Sequence, residues 1–192
     1  MLTLLKTFLM AVCGIALGLS ATVLAVRGGF GLGAVRAGSW TAWPKTGTPE
    51  IDPYARAMLA RTGEIPMGLA EGLLLVAARD SGGDWLEGRC DYVFSGKIPA
   101  SRFWTVTIDT PDGALIDNPA QRHGATSSEI VRDEGGGFEI ALSARARPGN
   151  WLPVGHDKRY VVALRLYDTV ASATAAALDA AALPAIRRTG CR

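Results

Sequence analysis

A chain of 192 residues suits one globular domain with an appendage and is too short for two full-sized domains. Its 20 Lys and Arg stand against 18 Asp and Glu, a net charge of +2, and are dispersed along the chain. That argues against a nucleic-acid partner, which needs a concentrated basic surface. The 23 Gly and 10 Pro, set between β-branched runs, favour a turn-rich β domain over a helical bundle.

Between Leu2 and Val26 the single charged side chain is Lys6, so the 20 residues Thr7–Val26 are uncharged and mostly apolar. That length crosses about 30 Å of hydrocarbon as a helix. Phe8, Val12, Ile15, Leu19 and Leu24 lie all around such a helix, which leaves no polar face, and Gly14, Gly18 and Ala21 permit close approach of another helix. Residues 1–26 read as a retained transmembrane anchor or as a cleaved signal peptide, since Val23-Leu24-Ala25 is a passable cleavage site. The apolar run exceeds the usual signal core of about 7–15 residues and lacks a polar stretch before that site, which favours retention. Either way the domain is exported. Lys6 on one side and Arg27 and Arg36 on the other nearly balance the positive-inside comparison.

Residues 27–52, rich in Gly and small side chains, read as a linker or collar, with Trp40 and Trp43 placed at a headgroup layer. Residues 53–192 form the domain. Asp52 caps a helix over Pro53–Arg61, with Pro53 at its first position and Gly63 ending it. Glu71–Ala78 is an apolar run of strand length, and Arg89–Ser95 puts Cys90, Tyr92 and Phe94 on one face. In Arg102–Thr110 one face carries Arg102, Trp104, Val106 and Ile108, the other Phe103, Thr105, Thr107 and Asp109. The Val106 face is assigned to the core and the strand to the centre of its sheet.

Further on, Ser127–Arg132 and Phe138–Ala144 flank Asp133–Gly137 as a β-hairpin. That glycine run lacks the Gly-Lys-Ser/Thr of a phosphate loop and any following helix. Pro148–Pro153 is a rigid corner, Tyr160–Tyr167 a last strand with Val162, Leu164 and Leu166 on one side, and Ser172–Leu183 an Ala-rich helix stopped by Pro184. About six or seven closely spaced strands give an antiparallel, jelly-roll-like β-sandwich or flattened barrel, with small peripheral helices, behind one transmembrane helix.

Phe103-Trp104-Thr105-Val106-Thr107, Pro111-Asp112-Gly113, Asp117-Asn118-Pro119, the Pro148–Pro153 corner and Leu164-Arg165-Leu166-Tyr167 occur in that order. As a set they resemble the C-terminal module of a bacterial envelope family described as domain of unknown function 1214. The likeness covers roughly Ala100–Thr169 and, by strand arrangement, Pro53 to the end. It implies a β-sandwich-like module in a short membrane-anchored form, and it implies no activity, cofactor or catalytic residue.

Cys13 lies in the apolar segment as a small hydrophobe. A bridge between Cys90 and Cys191 would close a loop of about 100 residues, worth about 4–5 kcal/mol in the chain-entropy model, and would need an oxidising compartment; two free thiols are the alternative. No Cys-x-x-Cys pair occurs, and His123 and His156 lack zinc spacing, so neither metal nor cofactor is expected.

His123, in a polar loop near Asp117 and Asp109, has the character of a general base, although a surface histidine is the plainer account. Ser127 and Ser128 lack a nucleophile elbow, and Asp109 and Asp112 flank a turn that would employ them locally. Trp104, Trp151, Arg165 and Tyr167 could form a platform for a sugar or an anionic head group; alternatively the tryptophans plug the core and Arg165 pairs with a carboxylate. Asn150 is expected to satisfy backbone groups at its corner, and with Trp151 it is also a binding candidate. These features suggest a single-pass inner-membrane protein whose periplasmic domain is a non-catalytic binding or interaction module for a small molecule, glycan or protein. The alternatives are an envelope hydrolase acting on a carbohydrate or ester, and a structural partner in a membrane complex.

Overall fold

Helix α1 (Leu2–Gly28) leads into a two-layer β domain, in a computed structural model that describes residues 2–28, 33–68, 70–156, 158–170 and 178–192. Its Leu2–Val26 stretch is long and apolar enough to cross a membrane, and its side chains are exposed as far as Leu24. Ala25 and Val26 are half-buried, and the helix contacts α2 (Pro53–Thr62). Helix α2 begins as the sequence dictates: Asp52 Oδ1 accepts from the Tyr54 and Ala55 amides at 2.8 and 3.2 Å, and Gly63 closes it at φ 70°.

The remaining elements are β1 (Val35–Ala37), β2 (Trp40–Ala42), β3 (Gly72–Ala77), β4 (Cys90–Gly96), β5 (Ser101–Asp109), β6 (Gly124–Thr126), β7 (Phe138–Ser143), β8 (Trp151–Pro153), β9 (Val161–Thr169) and β10 (Ala185–Cys191). A six-stranded sheet has the order β1-β2-β3-β9-β5-β6 and a four-stranded sheet the order β10-β4-β7-β8. Every pairing is antiparallel except β7–β8, which is parallel. Pro153, which has no N–H to donate, is tolerated there because β8 is an edge strand.

The two sheets bury a common core. Leu75, Val106, Ile108, Val162, Leu164 and Leu166 of the larger sheet meet Phe94, Ile140, Leu142 and Ile186 of the smaller. Trp104 lies 5.4 Å from Phe138, and Trp40 lies 5.8 Å from Phe94. The fold is therefore a mainly β sandwich, with the alternation expected of β5 intact.

Four local expectations change. The 27–52 linker contains β1 and β2, joined by a two-residue loop with Gly38 at φ 60°. Trp40 is a core residue 2 % exposed, its Nε1 donating to Pro184 O at 2.8 Å, instead of a headgroup anchor. Strands of three residues are too short to show a period, which is why composition alone read them as linker. Second, β5 lies next to the edge strand β6, while β3 and β9 occupy the middle.

Third, Ser127–Arg132 is not a strand. Glu129 Oε2 accepts from Thr126 N and Oγ1 at 2.8 and 2.9 Å and curls the chain, and the Asp133–Gly137 turn closes over a lone Arg132–Phe138 bridge while β7 pairs with β4. Fourth, half of the Ala-rich helix expected over Ser172–Leu183 lies outside the described residues, and the described half contains a 3-10 turn, Ala180–Ala182. Beyond it β10 pairs with β4, so that Cys191 faces Cys90 and the two form a disulfide.

Candidate functional site

Pleating sends every second residue of the large sheet away from the core. Leu74 and Val76 of β3, Thr107 and Asp109 of β5, and Val161, Ala163 and Arg165 of β9 would lie in water were the face bare. Helix α2 covers it, with Trp43–Thr46 before the helix, Gly63–Met67 after it and the Thr110–Gly113 turn. The two covering segments press closely together, since a Cβ on Gly47 would overlap the Met67 carbonyl. A cavity of about 660 Å³ remains, within the range of small-molecule sites.

Apolar side chains make the walls, among them Trp43, Met58, Leu59, Met67 and Val76. The floor is polar. Arg165 Nη1 donates to Thr107 Oγ1 at 3.1 Å, and Thr107 Oγ1 donates to Asp109 Oδ2 at 3.1 Å. Arg165 Nη2 stands 4.0 Å from Glu64 Oε1. Asp109 is 5 % exposed, and its Oδ1 makes no hydrogen bond among the described residues. Burial pushes the Asp109 carboxyl above its usual range, against the pull of the Thr107 hydrogen bond and the Arg165 charge. Burial likewise raises Glu64; Arg165 opposes this and the Asp109 charge reinforces it. One guanidinium thus faces two carboxylates in a partly desolvated place.

Asp109 and Arg165, singled out in the sequence for unrelated reasons, meet in this floor. Its other members, Thr107 and Glu64, were not anticipated. Glu64 follows a helix C-cap among Ile65, Pro66 and Met67, and a carboxylate inside an apolar stretch after a capped helix is the signal that would have found it.

The aromatic platform does not form. Trp104 pairs with Leu166 and faces the core at 3 % exposure, whereas Arg165 and Tyr167 point outward. Tyr167 packs on Phe103 at 5.9 Å, and Trp151 belongs to the other sheet, its Nε1 donating to Ser143 O at 2.9 Å.

His123 does not line the cavity. Its Nδ1 lies 3.0 Å from Ile116 O, and since a carbonyl only accepts, that nitrogen carries the proton. It makes no hydrogen bond to Asp109 or Asp117 among the described residues, and Asp117 is exposed. Ser128 Oγ meets Thr126 Oγ1 at 3.0 Å, and Ser127 Oγ accepts from Trp104 N at 3.4 Å.

Asn150 behaves as a substitute strand. Its Oδ1 accepts from Val131 N at 2.9 Å while Nδ2 donates to Val131 O and Glu139 O at 2.8 and 2.9 Å. It serves the backbone at the corner.

A family model described as a protein of unknown function, DUF1214, matches residues 71–171. Among solved structures, the VPA0106 protein of Vibrio parahaemolyticus is 26 % identical with a TM-score of 0.56, over 71 % of this chain and 35 % of that one. An uncharacterized protein from Burkholderia cenocepacia is 21 % identical with a TM-score of 0.44, over 77 % of this chain and 46 % of that one. The chain therefore spans less than half the length of either structure. No curated protein matches.

Proposed function

The chain belongs to the DUF1214 family of unknown function, and from its structure we propose that it is a membrane-tethered binding module whose ligand site is the cavity beneath α2. The observation that carries this reading is the floor: a buried polar cluster, with a carboxylate oxygen that has no partner among the described residues, at the bottom of an otherwise apolar pocket. An unsatisfied buried acceptor costs about 1–3 kcal/mol, and a cavity of ligand size beside one is the arrangement that a bound molecule relieves.

In this reading α1 stays in a bacterial inner membrane and the domain lies in the periplasm. The length of α1 supports the first and the Cys90–Cys191 disulfide, which needs an oxidising compartment, supports the second. The hydrolase alternative drew on His123 beside an aspartate, and that ring is held by a backbone carbonyl instead.

The test is thermal unfolding of the full-length protein before and after small molecules are stripped from it. A ligand present at 100 times its Kd adds about 2.7 kcal/mol. Stripping should therefore lower the melting temperature of the wild type and leave Leu74→Trp, which fills the cavity, unchanged. Equal responses of the two would overturn the reading.

A further inference from the structure

The same cavity also says what kind of molecule it takes; the inference rests on the reading above. Three features bear on it. First, the walls are apolar and the rim carries large apolar side chains in the open, Ile65 at 90 % and Leu115 at 55 % exposure. An exposed apolar rim costs solubility unless it meets a ligand, a protein or a membrane. Second, α2 is at once a wall of the cavity and the element that contacts the membrane-length helix α1, so the pocket stands beside the emerging end of that helix. Third, among the described residues the floor has one acceptor to spare. Arg165 already gives one nitrogen to Thr107 and faces Glu64 with another, while Asp109 Oδ1 has no partner among the described residues. That oxygen is buried although Asp109 lines the cavity, and partial rotation about the soft Cβ–Cγ bond turns it toward a bound head group.

We propose that the cavity binds a single-chain amphiphile drawn from the bilayer, its apolar chain along Trp43, Met58, Met67 and Val76 and its hydroxyl or ammonium head donating to Asp109. An anionic head would meet two carboxylates across one guanidinium that is already engaged, and like charges in such a site repel strongly. A sugar without a chain would leave the walls unfilled.

The experiment uses full-length protein in lipid nanodiscs and three photoreactive twelve-carbon probes, each with a diazirine in the chain and ending in an amine, a hydroxyl or a carboxylate. Labelled peptides are identified by mass spectrometry. The amine and hydroxyl probes should label the Trp43, Met58 and Met67 peptides, the label should vanish in Leu74→Trp, and the carboxylate probe should label them about tenfold less. In Asp109→Asn labelling by the amine should fall relative to labelling by the hydroxyl. If Leu74→Trp unfolds at lower temperature than wild type, Val76→Phe blocks the same wall.

Carboxylate labelling equal to or above the amine would overturn the head-group assignment. Labelling by all three probes that is the same in wild type and Leu74→Trp would overturn the amphiphile altogether. In either case the stripping experiment decides independently whether the cavity holds another ligand.

Discussion

Two clusters of arginines and carboxylates, at opposite sides of the sandwich, are built from the same side chains and solve opposite problems. Where β10 meets β4, Asp91 and Asp80 each have several donors. Asp91 accepts from Ser143 Oγ at 2.7 Å and Arg147 Nη2 at 2.6 Å, with Arg192 at 3.5 Å. Asp80 takes the Gly82 and Asp84 amides at 3.0 Å each and Arg188 at 3.0 Å. In the cavity the Arg165 guanidinium faces both Glu64 and Asp109, and among the described residues Asp109 Oδ1 is left without a hydrogen bond.

The protonation preferences follow. Burial raises Asp91, but the hydrogen bonds from Ser143 and Arg147 and the charges of Arg147 and Arg192 outweigh it and hold the carboxyl below its usual range, while burial prevails at Asp109 and Glu64. A saturated cluster spends its polar groups on holding chain segments together. An unsaturated one keeps an acceptor in reserve, which is what distinguishes a site from a staple.

The difference can be broken most forcefully at the staple. Replacing Cys90 and Cys191 together by Ser removes a cross-link with a sequence separation of 101. This should cost about 4 kcal/mol in denaturant unfolding, with reductant doing the same to the wild type. Next in size, Asp80→Ala strips the acceptor from two backbone amides and from Arg188, and should cost about 3 kcal/mol, whereas Asp109→Asn should cost little or nothing. A loss from Asp109→Asn as large as that from Asp80→Ala would erase the distinction.

Acidity sharpens it further. Asp109 and Glu64, raised from 3.8 and 4.5, keep their protons to a higher pH in the folded state than in the unfolded chain. Their contribution to stability is full below those values and is lost as pH rises through the folded pKa. Asp91, lowered from 3.8, contributes above that value and loses its contribution as pH falls through the folded one. Unfolding followed from pH 3 to 7 should therefore show Glu64→Gln and Asp109→Asn gaining most over wild type at the upper end, and Asp91→Asn losing most there. The smallest effect belongs to His123→Ala. It deletes a single hydrogen bond to Ile116 O, should cost about 1 kcal/mol or less, and should leave ligand retention untouched.

Much of this was readable in the sequence wherever a period or a cap runs long enough. The two-faced β5, the Asp52-to-Gly63 helix and the pairing of Cys90 with Cys191 all appear in the fold. So does the backbone role of Asn150. What stayed hidden depends on contacts between distant segments. Nothing local announces that β10 pairs with β4, or that α2 folds down over β3, β5 and β9 to roof a cavity. The platform was decidable in advance: Trp104 shares a face with Val106, and Arg165 lies opposite Leu164 and Leu166. If both apolar faces go to one core, the tryptophan and the arginine point apart.

The central claim is that the cavity beneath α2 holds a ligand, and native mass spectrometry of the full-length protein tests it most directly. The account predicts a bound small molecule on the wild type and on Asp91→Asn, lost from Leu74→Trp. A wild type and a Leu74→Trp variant carrying the same complement of bound mass, or both carrying none, would contradict it.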